Sequence, residues 1–250
     1  MLESNENLKV LLIDIETSPN LGYCWGKYEQ DIIKFEKEWS IISFSYKWLG
    51  DKETTVLALP DFPLYKTDKA SDKDIIRKIW DVLDQCDICI GQNLDRFDIR
   101  KINSRFVVNG LTPPSPYKTV DTLKIAKKYF GFNSNKLNDL GNYLGVGQKA
   151  NTGGFQLWLD CAAGNKEAWK KMKKYNKQDV VLLEKVYLKL RPWLSNHPNV
   201  SVLKPVTSCF TCGSDKVQRR GYSYSKMSKY QRYQCCACGS WSQGKLEKIK

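Results

Sequence analysis

This sequence predicts a mixed α/β sheet layered by helices, with a small cysteine-rich module behind it, and three observations carry that prediction. Strand-like segments come first and then alternate with helical ones. A proline-punctuated stretch follows the last long helix, and two Cys-x-x-Cys pairs stand beyond it. With 250 residues and 42% hydrophobic content, the chain can bury one core of roughly 150 to 200 residues and still carry an appendage.

The elements follow in order. The apolar run 9–13 ends in Asp14 and reads as a buried central strand. Residues 40–48 alternate and lead through Gly50-Asp51 to a second strand at 54–59, an antiparallel hairpin beside the first. Helical spacing of Ile75, Ile76, Ile79, Trp80 and Leu83 marks a helix over 73–83, and 88–91 is a further short strand. Residues 98–108 read as the next helix, stopped at Asn109-Gly110, and Pro113, Pro114 and Pro116 carry the chain to a strand at 117–120. Asp121-Thr122 caps a helix through Tyr129. A short helix is expected over 136–144, ended by Gly145, and a long one over 167–190, broken or bent near Asn176. Pro192, Pro198 and Pro205 punctuate the linker. The division expected is thus 1–190 for the main domain, 191–208 for the linker and 209–250 for the cysteine module.

Charge narrows the partners. The net charge is +13, and residues 201–250 hold ten Lys or Arg against Asp215 and Glu247, or +8 of that total. Such asymmetry points to a polyanion, although a solvated lysine-rich surface would read the same way. No stretch approaches the roughly 18 apolar residues of a membrane span, and the first seven residues are acidic and polar with no apolar run. A soluble, cytoplasmic protein with no membrane partner is expected. Of nine cysteines, four form the two pairs, while Cys24, Cys86, Cys89, Cys161 and Cys236 are scattered and odd in number. That pattern suits a reducing compartment and a metal site better than a disulfide framework.

The acidic residues hold the chemistry. Asp14-Ile15-Glu16 places two carboxylates on one face at the end of a buried strand, because side chains alternate with period 2. Hard divalent cations require such clustered carboxylates. Asn93-Leu94-Asp95-Arg96-Phe97-Asp98 follows a second strand, and Tyr175 and Asp179 share a face of the late helix. Each has an ordinary alternative: Asp98 a helix cap, Tyr175 a half-buried ring, Asp179 a solvated charge, Phe97 core packing. Asp121 reads as an N-cap.

Taken together, Asp14-Ile-Glu16-Thr17, Asn93-x-x-x-Phe97-Asp98 and Tyr175-x-x-x-Asp179 resemble, in order and spacing, the three exonuclease motifs of the DEDD superfamily. The tyrosine variant, seen in the proofreading domains of family B DNA polymerases, is the nearest match, and the resemblance spans about residues 8–190. It implies an RNase H-like fold. It also implies two Mg²⁺ or Mn²⁺ ions held by Asp14, Glu16, Asp98 and Asp179, with Tyr175 orienting the attacking water. A sister group uses histidine in place of that tyrosine, and the single histidine here, His197, lies beyond Asp179 near the linker. Thr17, Asn93 and Phe97 would contact substrate. DNA is expected ahead of RNA as the nucleic-acid partner, although no motif separates the two. A polymerase or another replication or repair protein would be a separate partner, and a viral protein in host cytoplasm is compatible with the composition.

The late cysteines define their own site. Cys209-x-x-Cys212-Gly213 and Cys235-x-x-Cys238-Gly239, separated by 22 residues, form two knuckles that suit one structural Zn²⁺. Cys236 is the bystander. Between the knuckles Arg219, Arg220, Lys226, Lys229 and Arg232 interleave with tyrosines, a pattern that can hold phosphates while rings stack on bases. Tyr233 and Trp241 are assigned first to the module's own core. The module resembles zinc ribbons attached to nucleic-acid enzymes, which implies substrate capture; a protein contact is the competing role. Two other readings of the whole chain stand beside the exonuclease: a transposase-like or structure-selective endonuclease, and a non-catalytic nucleic-acid binder on the same fold.

Overall fold

The computed structural model describes residues 8–28, 31–204 and 208–248, so the polar N-terminus and Pro205 of the expected linker lie outside the described residues. Strands β1 (Val10–Thr17), β4 (Ile41–Trp48), β5 (Thr55–Ala58), β6 (Ile88–Gly91) and β7 (Lys118–Asp121) form a sheet in the order β5-β4-β1-β6-β7. Strand β4 runs antiparallel to β1 and forms an antiparallel hairpin with β5, whereas β6 and β7 run parallel to β1. Strands β2 (Leu21–Tyr23) and β3 (Lys34–Lys37) pair as a separate, mostly exposed hairpin between β1 and β4.

Alternation along β1 decides which helix faces the acids. Leu11, Ile13 and Ile15 enter one apolar cluster with Ile75, Ile76 and Ile79 of α1 (Lys73–Leu83) and Ile102 and Phe106 of α2 (Asp98–Val108). Val10 and Leu12 enter the other, with Ile125 of α3 (Thr122–Tyr129), Leu140 of α4 (Leu137–Tyr143) and Val180, Leu183 and Tyr187 of α6 (Lys166–Leu190). Asp14 and Glu16 continue the second parity and therefore face α6. Their cross-strand partners on β4 are Ser45 and Ser43, both fully buried, so small hydroxyl side chains leave room on that face for the carboxylates.

Helices α1 and α2 occupy the ranges that periodicity predicts. The β2–β3 hairpin was not expected, and two later helices differ as well. The long helix runs unbroken through Asn176, because that amide is fully buried and hydrogen-bonded across to the sheet, which removes the reason for a bend. A seven-residue helix α5 (Gln156–Ala162) was not expected; it is too short to show a helical period in the sequence. The late helix is entered through Asn165, whose side chain accepts from the amides of Glu167 (2.9 Å) and Ala168 (3.2 Å).

Beyond α6 a single 3₁₀ turn, Arg191–Trp193, buries Leu194 in the second cluster. His197 is pinned there: its Nδ1 lies 2.7 Å from the Pro198 carbonyl, which needs a donor, so Nε2 accepts from the Tyr187 hydroxyl at 2.7 Å. Strands β8 (Val217–Tyr224), β9 (Ser228–Cys235) and β10 (Trp241–Lys248) make an antiparallel sheet in the order β10-β9-β8. Tyr233 is partly buried against Gly244, where a β-carbon would stand 2.8 Å from the ring. Trp241 corrects its expected place in the module's core. It is 52% exposed, and the Arg232 guanidinium lies 5.6 Å from its ring centre.

Candidate active site

The end of β1 and the middle of α6 bring Asp14, Glu16 and Asp179 together, with one carboxylate oxygen from each within 4.8 Å of the others. Asp98 stands beside this trio and outside it. As the first residue of α2 it is buried, and its Oδ1 accepts from the Ile15 amide at 3.2 Å, so the second motif is tied directly to the strand that carries the first. The turn before it is held by Asp121, whose carboxylate accepts from the amides of Asn93 (3.0 Å) and Asp95 (3.3 Å) as well as capping α3 through Leu123 (3.0 Å). Asn93 takes a left-handed φ of 61° in that turn, a conformation that asparagine tolerates better than most side chains. Phe97 is 39% exposed beside it and makes no core of its own.

Two residues that carry no family motif complete the constellation. Asn176 donates to Asp14 Oδ2 at 2.6 Å and accepts from the Ser43 hydroxyl at 2.7 Å, which fixes the orientation of its amide. The sequence signal was present: a polar residue lies on the stripe Met172, Asn176, Val180, where a helix otherwise buries apolar side chains. Lys149 places its ammonium 2.6 Å from Asp179 Oδ2 and 3.0 Å from the Tyr175 hydroxyl. Its loop is seated by the Lys149 amide on Asn138 (2.9 Å) and by Gln178 on the Gln148 carbonyl (3.0 Å). Glycine at 141 permits the approach, since a β-carbon there would lie 2.4 Å from the Gly147 carbonyl oxygen. A lone lysine in a loop offers no periodic or spacing signal, so sequence reasoning missed it.

Burial dominates the electrostatics. It pushes Asp14 well above the usual carboxylate range, with Glu16, Asp98 and Asp179 adding repulsion. Glu16 is raised to about 8 by burial and then by Asp179, and Asp98 to about 7 by burial, against which the Ile15 hydrogen bond works. Asp179 is raised by burial and partly relieved by Lys149. Burial opposes the Lys149 ammonium, but Asp179 and Tyr175 outweigh it and hold its pKa above the ordinary lysine value. Tyr175 is also raised, by burial and then by Asp179 and Glu16, so at neutral pH it is a phenol that donates a hydrogen bond and not a base.

This donor set fits hard divalent cations. Neither oxygen of the buried Asp179 has a well-formed hydrogen-bond donor among the described residues, and the cation close to it is Lys149. An acidic cluster balanced by so little positive charge is stabilised by a cation with oxygen ligands. The module beyond residue 208 fits zinc. All four sulfurs lie within 4.8 Å of one another, with Cys209–Cys238 at 3.7 Å and Cys212–Cys235 at 3.6 Å. Zinc–sulfur bonds of about 2.3 Å in a tetrahedron require sulfur pairs about 3.8 Å apart. The knuckles repeat each other: Gly213 and Gly239 take φ of 71° and 81° and donate to the carbonyls of Cys209 and Cys235 at 2.8 and 2.9 Å. Burial raises a thiol, but at Cys209 the Ser240 hydroxyl and the amides of Cys212 and Thr211 prevail and bring it down to about 7.

The remaining predicted contacts are dispersed. Thr17 lines a cleft of about 470 Å³ with Ser18, Pro19, Phe155 and Trp158, directly beyond the acids along β1. On the ribbon, Arg219 pairs with Tyr233 and Arg232 with Gln243 across the ladder, so alternation sets Arg219 and Arg232 on opposite faces. Arg220 and Lys226 are exposed, and Lys229 lies over the Tyr222 ring at 4.7 Å.

A five-stranded sheet in this order, with carboxylates gathered at the end of its central strand, defines a nuclease-like fold. The chain belongs to the RNase_H superfamily, whose family model matches residues 35–191, a span that holds Asp98, Tyr175 and Asp179 and begins after Asp14 and Glu16. It is 35% identical over 79 residues to Protein NEN3 of Arabidopsis thaliana, which covers 31% of this chain and 15% of that protein. Among solved structures it is similar to the family B DNA polymerase of the archaeon Pyrobaculum calidifontis, with a TM-score of 0.56 and 16% identity over 88% of this chain and 31% of the polymerase. The chain thus spans less than a third of either relative, and the polymerase likeness is one of fold. Among the described residues, no helix is long and apolar enough to cross a membrane.

Proposed function

We propose that the chain is a metal-dependent 3′→5′ exonuclease, with the nuclease at 1–190, a linker at 191–208 and a substrate-capturing zinc ribbon at 209–250. The observation that carries this reading is the trio of half-buried Asp14 and Glu16 with buried Asp179, and the Tyr175 phenol beside it, bridged to Asp179 by Lys149. Two Mg²⁺ or Mn²⁺ ions would be held by Asp14, Glu16, Asp98 and Asp179, and when bound they would supply an activated water and neutralise charge on the scissile phosphate. Lys149 donates to the phenol oxygen, so the Tyr175 hydroxyl acts as a donor and would orient that water. Asn176 holds Asp14 by one oxygen. The cleft from Thr17 to Trp158 would take the 3′-terminal nucleotide, and Asn93 and Phe97 would contact substrate as well. Single-stranded DNA is the substrate proposed. Nine free cysteines suit a reducing cytoplasm, including that of a host cell for a viral protein, and a separate polymerase or repair protein is the partner class.

The test is a 5′-labelled single-stranded oligonucleotide, as DNA and as RNA, incubated with the protein and Mn²⁺. A ladder shrinking by single nucleotides from the 3′ end, and absent with Asp14→Ala, is expected. Internal cuts would replace this reading with the endonuclease, and binding without cleavage would leave a nucleic-acid binder on a nuclease fold.

A further inference from the structure

The ribbon does not stand clear of the linker. Between them lies a cavity of about 770 Å³, lined by Leu194, His197 and Asn199 of the linker and by Phe210, Arg232 and Trp241 of the ribbon. That volume is in the range of small-ligand sites and large enough for a nucleotide. Its walls combine three features. The first is Trp241, 52% exposed with its indole against the cavity, and the second is Phe210, 37% exposed nearby. The third is the Arg232 guanidinium, 5.6 Å from the indole centre and lining the same cavity. Half-exposing a tryptophan forfeits apolar burial that so small a module could use for its own stability. A wall of aromatic face plus cation is the chemistry that takes an unpaired base by stacking and its phosphate by charge.

We infer that this cavity between linker and ribbon is a second nucleic-acid subsite, in which an unpaired base stacks on Trp241 while Arg232 holds the adjoining phosphate. Charge complementarity selects the occupant: residues 201–250 carry +8, and a protein segment would need acidic groups to match what a phosphodiester chain supplies at every residue. The site is separate from the acids. Tyr187, which anchors His197 at the cavity wall, lies eight residues along α6 from Asp179, or about 12 Å of helix. A strand must therefore be several nucleotides long to engage both places, and short substrates gain nothing from the ribbon. The inference deepens the capture role proposed above, but its test requires no catalysis.

Binding is measured by fluorescence anisotropy on the Asp14→Ala protein with zinc retained and no other divalent ion, using a labelled 20-nucleotide single strand, a duplex of that length and a dinucleotide. Trp241→Ala and Arg232→Gln are each expected to weaken the long single strand by about 5- to 50-fold, with Trp241→Phe restoring most of it. The dinucleotide should bind all variants alike, and the charge control Lys216→Gln should match the parent. Zinc content of one per chain in each variant shows that the ribbon is folded. Equal losses for Lys216→Gln and Arg232→Gln with none for Trp241→Ala would reduce the site to diffuse electrostatics and overturn the inference. So would a duplex held as tightly as the single strand. Failure of the cleavage ladder would leave this binding result standing, so the two readings fall separately.

Discussion

Asn176 shows how one residue can set the geometry of a clustered carboxylate. Its amide is oriented by the Ser43 hydroxyl and spends a hydrogen on Asp14 Oδ2; in the proposed nuclease the other oxygen of Asp14 would serve a metal ion. Asn176→Leu removes the donor while keeping bulk; Asn176→Asp replaces it with a carboxylate facing Asp14. Both should lower kcat by about 10- to 100-fold, the scale of outer-shell losses around metal ligands, with little change in KM for substrate. A requirement for more Mn²⁺ should accompany the loss. A purely structural role would instead lower the melting temperature and leave the metal requirement of the surviving enzyme unaltered. Ser43→Ala, which frees the amide to rotate, should reproduce part of the effect.

Among the elements, the meeting of β4, α1 and α2 depends on one buried charge pair. Asp72, immediately before α1 and without solvent exposure, receives Arg105 of α2 through two hydrogen bonds of 2.6 Å and the Ile41 amide at the start of β4 at 3.1 Å. Arg105→Met would strand that carboxylate, and breaking such a pair costs about 3–5 kcal/mol. Asp72→Asn with Arg105→Met should recover much of the loss, because no unpaired charge then remains. Chemical denaturation of the single and double variants checks this; a single variant as stable as the parent would show that water reaches Asp72. Because α2 begins at Asp98, the weaker variant should also lose nuclease activity below its unfolding midpoint.

At the scale of the whole molecule the acidic cluster links stability to pH. Glu16 and Asp98, at about 8 and about 7, and the raised Asp14 and Asp179 hold protons in the native state that an unfolded chain releases near pH 4. The native state thus binds more protons than the unfolded one between about pH 4 and 8, and stability falls as pH rises through that window. The contribution is full below the unfolded values and lost above the folded ones. Without Mg²⁺ or Mn²⁺ the melting temperature should therefore drop from pH 5 to pH 8, and the gain on adding either ion should be larger at pH 8 than at pH 6. Glu16→Gln should flatten the slope. A metal-induced gain that does not vary with pH would mean that the cluster is already ionised.

Most of the architecture was legible because it depends on local rules. The run 9–13 could only be a buried strand, period 2 then placed Asp14 and Glu16 on one face, and the capping residues and glycines at 109–110 and 145 closed their helices where expected. The cysteine spacing needed no fold to be read as a four-sulfur site. Tertiary structure alone decided what depends on distant segments meeting. It set Lys149 on Asp179 across 30 positions of sequence, joined Asn176 to Asp14, left Asp98 outside the closest trio, and turned Trp241 out of the ribbon core toward the linker. The physical reason is that a buried polar group must find its partner wherever the fold presents one, and no period in the chain records which distant residue that will be.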